Sequence, residues 1–336
     1  MRNVEDALAR LQDSNLKKSV QALMNQNRIL GKPIKNNGII EIRGRDSFSP
    51  LKPAEEKKIR ELRCALFLAG TAECNIDDGV NAGLYMLTSE NFRIVFQNFI
   101  LESPYTGYTS GKIVRVSDSG YKISEITYEK PPYVVKNTFS YEKKFLNVLE
   151  QLRNKKRKTY RLILRATDAV MNAYANSEDV SHDSRILELS RAFEILFDLP
   201  ERDQRKMFKE LIEKYCEPKG EKKRRYSSER PGGKKVSETG SRQVMWADRF
   251  YTLRNHIIHG ENIADKRYFF HGQPHFQLGL WFFLVSVKQI INQSIQKKLF
   301  YDSIKCESGR LVYDNGLLRA ATEKAVKTLL KMRKKA

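Results

Sequence analysis

Residues 250–263 read FYTLRNHIIHGENI, an apolar-laced stretch whose last turn carries Arg254, Asn255, His256 and His259. Trp246, Phe250, Leu253 and Ile257 recur at three- and four-residue spacing, which predicts a helix with that stripe toward a core. Gly260 follows as a left-handed cap. On such a helix Asn255 and His259 are four apart and share a face. Arg254 lies about 140° round from His259, and its long side chain reaches the same end. A guanidinium, an amide and an imidazole at one helix end suit cleavage of RNA without a metal. There the strand's own 2′-hydroxyl attacks the adjacent phosphate. The reaction needs a base for that hydroxyl, an acid for the leaving 5′-oxygen and positive charge on the phosphate. Imidazole, with an ordinary pKa of about 6.5, serves as either base or acid. The planar fork of Arg254 matches phosphate oxygens, and Asn255 would fix the ring tautomer or hold the phosphate. One histidine can hardly stand on both sides of an in-line displacement, so a two-fold homodimer through this helix would supply the second.

Side chains so placed need a helical scaffold, and from about Tyr141 the chain reads as helical. Apolar spacing predicts helices in 159–176, in 181–200, where Ser181 or Asp183 starts the helix and Pro200 closes it, and in 202–216. The motif helix 244–260 and the most apolar helix, 275–295, complete the set. The longest greasy run, 278–287, falls short of a bilayer span and reads as a buried helix. Glu194 lies in the apolar AFEILF stretch, where an unpaired acid would be costly. Arg254 is its expected partner, which makes Glu194 a supporting residue that orients the guanidinium; a solvated outer-face Glu is the alternative. Between the third helix and the motif helix, 217–242 is polar and too long for an ordinary helix connection. Its segment 218–235 holds eight Lys or Arg against two Glu. Lys222, Lys223, Arg224, Arg225, Lys234 and Lys235 are the candidates for gripping RNA phosphates, with Tyr226 placed to stack on a base. A solvated, disordered insertion is the competing expectation for this basic loop.

The first 140 residues look mixed. A helical stretch from Val4 to Leu30 leads into GIIEIRG, a strand signal. Residues 49–70 then carry strong helix signals, with Pro53 near the start, Glu55 and Glu56 in the first turn, and Gly70 as a stop. Strands follow in FRIVFQNFI and on both sides of the Asp118-Ser119-Gly120 turn. No chemical motif appears here, so a sensing or partner-binding role is the expectation, for a regulatory protein or ligand.

The motif region resembles the HEPN superfamily. RNHIIH fits the Arg-Asn-x-x-x-His form of its Arg-x(4–6)-His motif, and LRNHIIHG looks very like its usual wording. ILELSRAFEILFDLP is similar to the AlEaLF helix of the Apea-like branch, and a strongly apolar helix follows in the right order. The resemblance covers roughly 141–298. It implies an α-helical bundle that dimerises through the motif helices and cuts RNA without metal, leaving 2′,3′-cyclic phosphate and 5′-hydroxyl ends, often as a toxin or anti-phage effector. Carried over by position, Arg254 and His259 would be catalytic with Asn255 beside them. Family members vary at the position of His256, which is kept as a supporting residue. The family also has inert members, so a catalytically silent dimerisation and RNA-binding module is the second reading. In some toxins of the superfamily an antitoxin modifies a tyrosine two residues after the histidine; here Glu261 stands there.

The whole chain agrees with a polyanion partner. It has 336 residues and a formal net charge of +21, and a surface that basic attracts nucleic acid. Four scattered cysteines, Cys64, Cys74, Cys216 and Cys306, lack CxxC spacing and suit a reducing cytoplasm. The N-terminus has no signal-peptide core. A zinc site from His256, His259, His271 and His275 is the rival to the ribonuclease reading. A purely structural basic helix end is another. The expected class is α+β: a mixed α/β domain over 1–140, an all-α HEPN-type helical bundle over 141–298, and a C-terminal extension with a basic helix over 299–336. RNA is the expected partner, with no cofactor, no metal and no membrane.

Overall fold

A computed structural model describes residues 52–71, 142–174, 181–230 and 233–314, positions 18 and 21, and the strand segments 27–29, 32–33, 93–97, 108–109 and 125–130. These residues hold seven α-helices and small sheets, an α+β composition dominated by helix. They fall into two compact units. The first contains a five-stranded sheet of β1 (Asn27–Ile29), β2 (Lys32–Pro33), β3 (Arg93–Gln97), β4 (Tyr108–Thr109) and β5 (Glu125–Lys130), in the order β2-β1-β5-β3-β4. β1 runs parallel to β5, and the other pairings are antiparallel. Asn27–Ile29 is therefore a strand where the helical expectation ran on to Leu30, because pairing with two neighbours overrides local pattern. GIIEIRG, the Asp118-Ser119-Gly120 turn and the C-terminal basic helix lie outside the described residues.

The second unit is helical. It takes α1 (Pro53–Thr71) from Cys64 onward, then α2 (Lys143–Lys155), α3 (Arg157–Ala173), α4 (His182–Phe197), α5 (Gln204–Cys216), α6 (Arg242–Ile258) and α7 (His275–Ile295). Its core is aromatic. Trp246 of α6 stacks on Phe282 of α7 at 3.9 Å between ring centroids. Phe250 also stacks on Trp246 at 5.1 Å, Phe193 meets Phe208, Phe250 and Phe283 edge-on, Phe208 is tilted to Trp246, and all are buried. Each buried ring stabilises by about 1.5–3 kcal/mol. Trp246, Phe250 and Leu253 bury the predicted stripe of α6, and Ile257 is half-buried where the helix leaves the core. Helix α7 is long and apolar enough to cross a membrane by composition, yet most of it is buried inside this unit.

Two features differ from the expected layout. The polar connection 217–242 is no loop: β6 (Arg224–Glu229) and β7 (Lys235–Gly240) form an antiparallel hairpin. Its strands are charged because ion pairs, more than apolar contacts, dock them. Arg205 donates to Ser228 Oγ at 3.0 Å and to the Glu229 carbonyl, and it pairs with the buried Asp248 of α6 at 2.9 Å. Lys209 bridges Asp248, at 3.3 Å, and Glu238. Tyr226 is buried against this network and donates to Glu238 at 2.9 Å, so it is not presented to a base. Burial opposes the Glu238 carboxylate, but hydrogen bonds from Lys209 and Tyr226 hold its pKa below the ordinary glutamate value.

The second difference is at the C-terminal side. β8 (Phe269–Phe270) and β9 (Gln273–Pro274) form a tight turn, and β10 (Ser303–Glu307) and β11 (Arg310–Asp314) form a hairpin that belongs to the helical unit. Phe300, Ile304 and Leu311 are buried. Lys288 of α7, itself buried, meets Asp302 at 2.8 Å and the Tyr313 hydroxyl at 2.9 Å. The Gln273 amide exchanges two hydrogen bonds with the Leu311 backbone, at 2.8 and 2.9 Å.

Helices α4 and α7 approach closely at Gly279, where an added Cβ would stand 2.2 Å from Leu189 Cδ2. Alanine is the better helix former by roughly 1 kcal/mol. Gly279→Ala is nevertheless expected to lower unfolding stability by about 1–3 kcal/mol through overpacking, read from urea or guanidinium denaturation.

Candidate functional site

Helix α6 begins at Ser241, whose hydroxyl accepts the Val244 amide at 3.3 Å. It ends in a complete Schellman arrangement: the Gly260 N–H bonds to the Ile257 carbonyl at 3.1 Å and the Glu261 N–H to the His256 carbonyl at 3.0 Å. Gly260 has φ +66°, the left-handed conformation that reverses the chain there. His259 is the cap residue, so backbone bonding alone sets it at the exposed tip of the helix.

One turn earlier, Arg254 Nη2 lies 2.9 Å from Glu194 Oε1 of α4, and its Nη1 donates to Asn255 Oδ1 at 3.1 Å. The guanidinium carbon sits 5.3 Å from the Tyr251 ring centroid. The Tyr251 hydroxyl donates to Gln204 Oε1 at 2.6 Å and also lies 3.3 Å from Glu194 Oε1. Burial, then the Glu194 charge, push the Tyr251 phenol well above the ordinary tyrosine value, so it stays a neutral donor. Of the five guanidinium N–H groups, two make these bonds, the Nε–H is buried without a partner, and one on each terminal nitrogen remains. The Asn255 amide NH2 is directed away from the Oδ1 that Arg254 occupies. Donors fixed in this way are able to bind an anion.

The structure therefore brings Arg254, Asn255 and Glu194 together. The expected side-chain contact between Asn255 and His259 is not made; their link is the backbone bond from His259 N–H to the Asn255 carbonyl at 3.0 Å. Among the described residues, no hydrogen bond or ion pair engages the His259 ring. His256 is the opposite case, with both ring nitrogens occupied. Nδ1 meets Glu261, while Nε2 lies 3.3 Å from Glu229 of β6 and 2.6 Å from Arg267 Nη1. It is a strut between the hairpin and the chain on either side of His259. Lys222, Lys223, Arg224, Arg225, Lys234 and Lys235 are all exposed on or beside the hairpin, and Lys223 pairs with Glu213 at 2.5 Å.

The sequence reading does not include Tyr251, Gln204, Glu229 or Arg267. Tyr251 stands three residues before Arg254, a spacing that signals a shared face; Gln204 and Glu229 arrive from other elements with no such signal. The remaining histidines do not join the site. His271, at φ +50° in the β8–β9 turn, contacts Arg242; burial, then Arg242 and Arg249, lower its pKa. The His182 ring lies against Tyr268, whose hydroxyl bonds Asp183. His275 is buried among Trp246, Phe250 and Phe270, with Nδ1 unbonded. Among the described residues, no three of His, Cys, Asp and Glu gather to hold a metal ion.

Burial drives the His275 pKa down to about 3. The unfolded chain takes up this proton near pH 6.5 and the folded one does not, so His275 favours the fold fully above pH ~6.5 and less as pH falls toward its folded value. Each pH unit in that window is expected to cost up to about 1.4 kcal/mol. His275→Phe, in the same aromatic surroundings, should flatten the acid side of a denaturation midpoint plotted against pH.

Compared with family models, with curated proteins and with solved structures, the chain matches none.

Proposed function

We propose that this protein is an RNA endonuclease that works without a metal ion, with its active site at the end of α6. The observation that carries the reading is the Arg254 guanidinium, held by Glu194 and Asn255 with one N–H on each terminal nitrogen left over, five residues before the exposed His259, whose ring has no hydrogen-bond or ion-pair partner among the described residues. In the proposed reaction a base removes the proton of a 2′-hydroxyl and the oxygen bonds to phosphorus. The bond from phosphorus to the 5′-oxygen breaks, and an acid protonates that oxygen. The products are a 2′,3′-cyclic phosphate and a 5′-hydroxyl. Arg254 stabilises charge on the phosphate, and Asn255 donates to a phosphate oxygen. His259 is base in one copy and acid in the other, which requires a homodimer through α6. Glu194 is engaged by Arg254, and Glu229 and Glu261 lie against the His256 ring, which leaves the His259 imidazole as the proton-transfer group. The toxin or anti-phage role implied by the HEPN resemblance belongs to the same proposal, with 1–140 as the regulatory or sensing part.

A catalytically silent RNA-binding module is the second reading. It is favoured by one observation: His259 has no side-chain contact with Arg254 or Asn255 in a single copy.

Incubation of the purified full chain with total RNA in excess chelator, followed by mapping of the ends, tests both. The proposal expects cuts bearing 5′-hydroxyls, reduced at least about 100-fold by Arg254→Ala or His259→Ala. His256→Ala, which removes the strut, should cost much less. RNA binding with no product, indifferent to His259→Ala, would establish the second reading instead.

A further inference from the structure

The hairpin's register sorts the six basic candidates. Tyr226 and Ser228 point inward, and the opposite row carries Arg225, Ser227 and Glu229 on β6 against Thr239, Ser237 and Lys235 on β7. Every member of that row except Glu229 is exposed. Glu229 would neutralise the row, but its carboxylate is turned to His256 at 3.3 Å and Arg267 at 3.5 Å. The row is thereby left with two cations, Arg225 and Lys235, with Thr239 opposite Arg225 and the Ser227–Ser237 rung between them, over roughly 13 Å of ribbon. It carries no aromatic side chain, since Tyr226 is buried. Its Glu229 end lies at His256, three residues before His259. Arg224 is exposed but belongs to the other row, at its open end opposite Gly240, and Lys223 is paired with Glu213.

We propose that the outward row of the β6–β7 hairpin is a guide for single-stranded RNA: Arg225 and Lys235 hold backbone phosphates, the Ser and Thr hydroxyls bond phosphate or ribose oxygens, and the strand is led to the tip of α6. The proposal rests on RNA being the substrate. A surface of cations and hydroxyls with no stacking platform reads phosphates and not bases, so binding is indifferent to sequence and sensitive to salt. A single strand fits for a second reason. In-line attack by a 2′-hydroxyl needs a nucleotide free to rotate, which a stacked duplex restrains.

Fluorescence anisotropy of the full chain with labelled 2′-O-methyl oligouridine, 2′-O-methyl oligoadenosine and their annealed duplex tests this, since 2′-O-methyl strands lack the attacking hydroxyl. The two single strands are expected to bind within about threefold of each other and more tightly than the duplex. Combining Arg225→Ala with Lys235→Ala should weaken single-strand binding about tenfold and flatten the logarithmic salt slope by roughly 1.4, the contribution of two phosphates. Lys223→Ala should leave that slope unchanged. Wild-type affinity and slope in the double variant, tighter binding of the duplex, or a strong preference between the two bases would each overturn the guide. The cleavage assay is separate. Hairpin-dependent binding without cleavage overturns the nuclease and leaves the guide standing, and cleavage with an unaltered salt slope does the reverse.

Discussion

Asp248 is the constraint on which the rest of the helical unit depends. Its carboxylate is buried in α6, where an uncompensated charge would cost several kcal/mol. Arg205 and Lys209 of α5 supply the compensation, and both also hold the β6–β7 hairpin, through Ser228, the Glu229 carbonyl and Glu238. One acid thus ties two helices and the basic ribbon into a single body. Six residues further along α6 stands Arg254, so the hairpin and the Glu194–Arg254–Asn255 group are registered against the same rod. The aromatic stack of Trp246 on Phe282 drives α6 onto α7 without regard to direction; the Asp248 network decides how α5 and the hairpin meet it.

Around this frame the chain's five histidines occupy unlike surroundings. Aromatic burial keeps His275 neutral, and two arginines work with burial against charge on His271. His182 lies against Tyr268, and His256 has a carboxylate on each side. The His182 and His259 rings are both exposed without a hydrogen-bond partner among the described residues, but His182 lies on α4 against Tyr268 and His259 caps the helix that carries Arg254. Backbone bonds at the helix cap fix where His259 sits on the chain without using its ring nitrogens. Arg254 has the complementary arrangement, its side chain fixed by Glu194, Asn255 and the Tyr251 ring while part of its donor set remains open.

Apolar spacing made the helices legible, because their burial stripes are local and repeat. The pairing of Glu194 with Arg254 was legible for a different reason: an acid in an apolar run must find a cation, and the motif helix offered one. The hairpin was not legible. Its strands lack the branched and aromatic alternation that marks a strand, and what docks them is contributed from α5, more than a dozen residues upstream. His256 shows the same limit. Its type and position suggested a helper, but its role as a strut depends on Glu229 and Arg267, which only the folded chain brings near. In the first 140 residues, local pattern indicated β3 and β5, while β1 lay in a stretch that reads as helix and takes its conformation from two pairings.

The amide of Gln273 closes on the Leu311 backbone in the way one strand closes on another, and it does so from the turn that follows the motif helix. Any fragment cut at the end of α7 would leave that amide without its backbone partner, uncover Trp281 where it meets Tyr313, and remove the counter-ion of Lys288. The smallest piece able to stand alone therefore has to be drawn by contacts and not by the reach of the helices: it includes the second half of α1 at one extreme and the β10–β11 hairpin at the other.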